Sequence, residues 1–161
     1  MIEVKNYPKN KNHIIALFDF YKKINEICLS LNIKPICWGS LIYFGYSKDL
    51  SYEIHDIDLI IPLEDILKLK KYFEENKLFK IEFIEGWNSL QIYNNDLLIE
   101  FDPIEKYIEN LQTDEFNFYG IKIKGISLQL LIEKYKFASE VSEDKPKEHK
   151  RKLEILQRIS K

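Results

Sequence analysis

Apolar residues recur along the chain at two spacings, and the changes from one to the other mark its elements. Over 12–31, Ile14, Leu17, Phe18, Tyr21, Ile24, Ile27, Cys28 and Leu31 fall three or four apart, the stripe of an amphipathic helix. Residues 33–38 read as a short strand in which Pro35 suits an edge better than the centre. Gly39 and Ser40 then turn the chain into a short helix over 41–45, and the polar stretch 46–54, which has no period, reads as loop. The β-branched and aliphatic run 54–61 is a strand closed by Pro62, with Ile57, Leu59 and Ile61 facing a core. Over 64–76 a helix presents Ile66, Leu67, Leu69, Tyr72 and Phe73 on one face, with Glu64 and Asp65 in its first turn.

The second half is richer in alternation. Residues 79–84 form a half-exposed strand, and 90–93 with 97–101 flank the turn Asn94-Asn95-Asp96 as a hairpin. A short helix over 104–111 and a hairpin over 116–123, broken at Gly120, follow. Ser127 caps a helix running to 139 with Leu128, Leu131, Ile132, Tyr135 and Ala138 inward. After an interruption at 143–146, a last helix over 147–159 carries Leu153, Leu156 and Ile159. The order predicts an α/β (α+β) layer fold: a small mixed β-sheet flanked by helices, with helices at the C-terminal end.

Length and composition narrow the setting. The 161 residues fit one domain, 1–161, and there is no internal repeat or Gly/Ser/Pro-rich linker. Acidic and basic residues nearly cancel, 26 against 24, so no whole-molecule field points to nucleic acid or membrane. The 45% hydrophobic content, with ten Tyr and ten Phe, argues for a packed core and against disorder. Cys28 and Cys37 lack metal-ligand spacing and read as buried thiols of a reducing compartment. With no apolar run of transmembrane length and no signal-peptide core, the expected location is cytoplasmic and no membrane partner is expected.

The candidate chemistry is concentrated in three places. Asp56 and Asp58 stand one residue apart in a strand, so their carboxylates share a face; like charges held side by side persist most easily around a cation. Gly39-Ser40, a strand turning directly into a helix, brings backbone N–H groups and a hydroxyl to one point, which suits an anion. Glu100 and Asp102 repeat the spacing of two on a later strand and could supply a further acid. Together these would hold a nucleoside triphosphate with two magnesium ions, or manganese, and aim its α-phosphorus at an acceptor hydroxyl.

Each piece also has a plainer reading. The acids could be solvated on edge strands, although the neighbours of Asp56 and Asp58 are apolar for that; Gly39-Ser40 could be an ordinary helix entry. His55 reads as a solvated side chain at the strand entrance and Trp38 as core with stacking on a nucleobase open. Lys134 could pair with nearby acids or contact a phosphate. The run from Lys145 to Lys152 reads as a solvated helix start, and its basic charge sits badly with the helix dipole, which favours a phosphate-bearing partner such as RNA.

Trp38-Gly39-Ser40, then His55-Asp56-Ile57-Asp58-Leu59, then Ile99-Glu100-Phe101 resembles the ordered pattern of the nucleotidyltransferase superfamily that includes DNA polymerase beta, especially its small stand-alone members. The resemblance covers roughly residues 30 to 155 and implies a minimal polymerase-beta-like core. It implies Gly39 and Ser40 on the triphosphate, Asp56 and Asp58 on both metals, Glu100 as the third acid with Asp102 competing for that role, and Lys134 reaching a phosphate. The activity implied is transfer of a nucleoside monophosphate to a hydroxyl of a small molecule, a tRNA end or a protein, with release of pyrophosphate; a homodimer is compatible with it. The chain departs from the pattern in its fifteen-residue spacing from Ser40 to Asp56, in Glu at the third acid, and in lacking a Lys-Asp-x-x-Asp pattern in the last helix. Alternatives are a catalytically inactive binding or regulatory module of the same fold, or a phosphocholine or sugar transferase using the same acids.

Overall fold

A computed structural model describes residues 1–104, 111–141 and 146–161. The described residues form β1 (Ile2–Val4), α1 (Lys11–Ser30), β2 (Ile36–Trp38), α2 (Ser40–Ser47), β3 (Asp56–Ile61), α3 (Leu63–Glu75), β4 (Lys80–Ile84), β5 (Ser89–Asn94), β6 (Leu97–Pro103), β7 (Thr113–Phe118), β8 (Ile121–Ile126), α4 (Leu128–Val141) and α5 (Pro146–Ile159). The strands make one mixed sheet in the order β1-β7-β8-β2-β3-β6-β5-β4. This is the α/β layer architecture the pattern predicts. Residues 105–110 of the expected helix over 104–111, and 143–145 of the break at 143–146, lie outside the described residues.

The sheet is wider than expected, and two expectations change. Ile2–Val4 pairs in parallel with β7, a three-residue strand too short for alternation to announce. β2 is interior, between β8 and β3, and Pro35 is tolerated because it immediately precedes the strand and takes no place in the ladder. α2 also runs on to Ser47, two residues into the stretch read as loop.

β3 sits at the centre, antiparallel to β2 and parallel to β6. A parallel pair needs a long crossover, here supplied by α3 and the β4–β5 hairpin. Ile57, Leu59, Ile61, Ile99 and Phe101 are buried on one face, where α1 and α3 pack. α1 contributes Ile14, Leu17, Phe18, Tyr21, Ile24 and Cys28 as its period predicts, and Phe20 besides; Leu67 of α3, expected inward, is exposed. Cys28 and Cys37 are free and buried, and burial pushes the Cys28 thiol up to about 12 and Cys37 well above its usual value.

The segment between α2 and β3 is stapled down. Asn10, before α1, donates from Nδ2 to the Ile54 carbonyl at 2.7 Å and accepts from the Ile54 N–H at 3.2 Å. Lys9 N–H donates to the Tyr52 carbonyl at 3.1 Å, so the chain enters β3 from a fixed point. α2 is seated by close approach: Tyr46 OH donates to Asp114 Oδ2 at 2.6 Å and to the Ile126 carbonyl at 2.9 Å. Two glycines make room for this seat. A Cβ on Gly125 would lie 2.5 Å from Ile42 Cδ1 and 2.8 Å from Phe116 Cε2, and one on Gly45 would lie 2.7 Å from Phe116 Cε1.

Gly125→Val should therefore overpack the α2 seat and cost about 1–3 kcal/mol of stability, read as a lower urea midpoint with an unchanged slope.

Candidate functional site

The face of β3 opposite the core carries Asp56 and Asp58, as the spacing of two requires. In register, Trp38 of β2 stands opposite Asp58, Asp58 opposite Glu100, and Glu100 opposite Gln91 of β5. Side chains paired in this way share one face, so a tryptophan, two acids and an amide form a row across four strands. One pair deeper, Asp102 stands opposite Ile60. Asp58, Glu100 and Asp102 each offer a carboxylate oxygen, and these oxygens all lie within 4.8 Å of one another.

Asp102 is 4% exposed and accepts a short hydrogen bond from Ser89 Oγ. Glu100 accepts from Gln91 Nε2 at 3.1 Å, and Tyr93 OH donates in turn to Gln91 Oε1 at 2.7 Å. Asp56 lies one pair outward, opposite Leu98, half-buried and at the border of a cleft. It stands outside the tight set of three but on the same face.

Burial and mutual repulsion raise the acids. Asp58 is pushed well above the usual carboxylate range, first by burial and then by Asp56, Glu100 and Asp102. Glu100 is raised by burial and by Asp102, an effect the Gln91 amide partly offsets. The Asp58 and Glu100 carboxyls hydrogen-bond to one another, so the two titrate as a pair.

Gly39 stands against this cluster. Its φ of 74° and ψ of −151° fall in a region essentially closed to other residues, and a Cβ there would meet Asp58 Oδ2 at 2.5 Å. Gly39 thus lets the turn touch the acid, in addition to opening α2. Ser40, the first residue of α2, places its Oγ 3.1 Å from Tyr52 OH. Tyr52 OH donates to Glu148 Oε1 at 3.3 Å, and Lys152 Nζ donates to Ser40 Oγ at 3.4 Å. Lys134 Nζ lies 3.0 Å from the centroid of the Trp38 ring, which brings α4 over the residue before Gly39. A cleft of about 440 Å³ is lined by Ser40, Tyr52, Glu53, His55, Asp56, Asp58, Glu148, His149 and Lys152.

No protein-family model and no curated protein sequence matches the chain. Solved structures do. The antibiotic-resistance factor ANT(2'')-Ia superimposes with a TM-score of 0.67 at 17% identity, over 92% of this chain and 86% of that one. This chain has the nucleotidyltransferase fold. The lincosamide antibiotic adenylyltransferase LnuA, in a lincomycin-bound crystal structure, gives 0.60 at 15% identity over 96% of this chain and 99% of that one. An antigenic nucleotidyltransferase-like protein from Paracoccidioides brasiliensis gives 0.62 at 15% identity over 87% and 74%.

On this nucleotidyltransferase fold the predicted residues fall together: Asp56, Asp58, Glu100 and Asp102 on one face, Gly39 and Ser40 at its edge, Lys134 above Trp38. His55 is exposed at the strand entrance, as read from the sequence. The reading of the basic run as a solvated helix start needs correction. Lys152 is only 5% exposed, because α5 turns it inward beneath Ser40 while Arg151 stays out near Asp49. The sequence reading also missed Tyr52, Ser89, Gln91 and His149. The loop Tyr52 had no periodic signal, whereas Ser89 and Gln91 are the polar positions of an otherwise apolar hairpin arm, a signal that was legible.

For Asp58 and Glu100 the folded-state pKa is raised, so the folded protein prefers the protonated form; in metal-free buffer stability should fall as pH rises above about 4. Asp58→Asn should then raise the metal-free Tm at pH 8 by several degrees and remove most of any stabilisation by magnesium, both read by thermal denaturation. Gly39→Ala should cost about 1–3 kcal/mol through its backbone alone and also displace Asp58, lowering Tm and weakening any stabilisation by magnesium.

Proposed function

We propose that this protein is a metal-dependent nucleotidyltransferase that moves a nucleoside monophosphate from a nucleoside triphosphate to a hydroxyl of an acceptor. The observation that carries the proposal is the convergence of Asp58, Glu100 and Asp102 oxygens within 4.8 Å beside the Gly39–Ser40 turn. Four carboxylates on one sheet face, two of them with raised pKa values, have the donor chemistry that hard divalent cations prefer. Asp56, Asp58 and Glu100 would hold magnesium, with Asp102 anchoring the cluster from its Ser89 hydrogen bond. Bound there, magnesium would neutralise charge on the triphosphate and on the departing pyrophosphate.

The chain's own groups do the rest. Ser40 and the start of α2 seat the phosphates, and Lys134 brings a positive charge over Trp38, the residue before Gly39. The acceptor oxygen forms a bond to the α-phosphorus as the bond from that phosphorus to the bridging oxygen breaks. Pyrophosphate takes the electron pair, and the hydroxyl proton passes to the Glu100 carboxylate and on to water. Gln91 keeps that carboxylate turned toward Asp58. Similarity along nearly whole chains to antibiotic adenylyltransferases supports a small hydroxylated acceptor ahead of a tRNA end or a protein hydroxyl.

Incubation with each of the four ribonucleoside triphosphates, magnesium or manganese, and a panel of hydroxylated small molecules should release pyrophosphate with at least one combination. Glu100→Gln and Asp58→Asn should each lower that rate by a factor of about 10³ or more. A chain that binds triphosphate equally with and without metal, and whose variants bind alike, would overturn the reading.

A further inference from the structure

The cleft that Asp56 and Asp58 line also holds a second charged group that the metal-site reading does not use. Lys152, buried to 5% exposure, points from α5 into a cage of three tyrosine rings: its Nζ is 4.7 Å from the centroid of Tyr52, 5.2 Å from Tyr135 and 5.5 Å from Tyr43. Burying an ammonium is costly unless anionic or aromatic partners compensate. One partner is Glu148, one helical turn earlier, whose Oε1 is 3.5 Å from Lys152 Nζ and also accepts from Tyr52 OH at 3.3 Å. Ser40 Oγ completes the group, 3.4 Å from Lys152 Nζ and 3.1 Å from Tyr52 OH. The ammonium and the Tyr52 hydroxyl therefore meet on one carboxylate, and both also touch Ser40 Oγ at the first residue of α2, beside a cleft of about 440 Å³.

We propose that Glu148 is an internal stand-in for a phosphate, holding the Lys152, Tyr52 and Ser40 subsite until the terminal phosphates of the triphosphate displace it. The inference rests on the nucleotidyl-transfer reading and deepens it by naming the groups that grip the polyphosphate and the residue that competes for them. The Glu148 side chain is 39% exposed, so it can swing to water without dismantling the core, whereas the Lys152 side chain at 7% cannot leave. A phosphate offers more acceptor oxygens and more charge than a carboxylate, which is the basis for exchange. Ordinary helix pairing of Glu148 with Lys152, at i and i+4, explains their contact but not the bond Glu148 accepts from Tyr52, nor the Ser40 hydroxyl held by Tyr52 and Lys152 together.

The two neighbours should act with opposite signs. Titration calorimetry with magnesium and each of the four triphosphates, and with inorganic tripolyphosphate, would be run on the wild-type chain, Glu148→Gln and Lys152→Met. Glu148→Gln should tighten tripolyphosphate and nucleotide about threefold to tenfold, and Lys152→Met should weaken both about tenfold or more. Glu148→Gln keeps shape and hydrogen bonding, and circular dichroism on both variants checks that α5 is retained. If Glu148 merely fastens α5, its replacement weakens binding or leaves it unchanged, and the inference is overturned while transfer stands. Unchanged affinity in Lys152→Met overturns it likewise. A wild-type chain that binds no triphosphate under any of these conditions removes the transfer reading and this inference together.

Discussion

Repulsion among carboxylates is the constraint on which this molecule turns. β3 and β6 run parallel and in register, so Asp58 faces Glu100 by backbone pairing alone, with Asp102 one pair deeper and Asp56 one pair out. Left in water these acids would ionise and separate. Here strand pairing holds them, burial raises Asp58 and Glu100, and a proton between those two relieves part of the strain. The arrangement is unfavourable for the fold by itself, and a sheet of eight strands with a continuous apolar underside supplies the stability to hold it.

The rest of the molecule serves that fixed point. Gly39 has no side chain because the Asp58 carboxylate occupies the place of its Cβ, so the turn that opens α2 and the clustered acids belong to one packed unit. Asn10 pins Ile54 two residues before Asp56, and α2 is locked onto β7 and β8 through Gly45, Gly125 and Tyr46. Three separate parts of the chain thereby converge on one site without a disulfide. Positional precision comes from strand register and glycine contacts.

Much of this was legible in the sequence, and for identifiable reasons. Helical stripes over α1, α3 and α4 and the Asp-x-Asp strand are local patterns whose period survives folding, and they put the acids on the face opposite Ile57, Leu59 and Ile61. Register is not local: that Glu100 faces Asp58 while Asp102 lies deeper depends on how β6 slides along β3, which no spacing within one strand reveals. The three-residue β1 falls below the length at which alternation can be counted, and Pro35 misdirected β2 to an edge because its place just outside the strand is a matter of one residue. Lys152 was misread for a different reason. In a run so rich in charge every lysine looks solvated, and only the tyrosines from α2, the following loop and α4 decide which one is enclosed.

These two charged groups explain each other. A triphosphate placed between carboxylates alone would be repelled, and one placed at a lysine alone would bind without orientation. The cleft is lined both by Asp56 and Asp58 and by Lys152 with its hydroxyls, including Ser40 at the start of a helix. On the proposed reading, the acids accept a polyphosphate only through cations, while the Lys152 group accepts its far end directly. The substrate then has one favourable direction, with the α-phosphorus toward Glu100 and the leaving pyrophosphate toward α5. Polarity of that kind needs no contact with the base, so the phosphate end can be fixed by the sheet and α5 while nucleotide and acceptor preferences are set by residues farther out along the cleft.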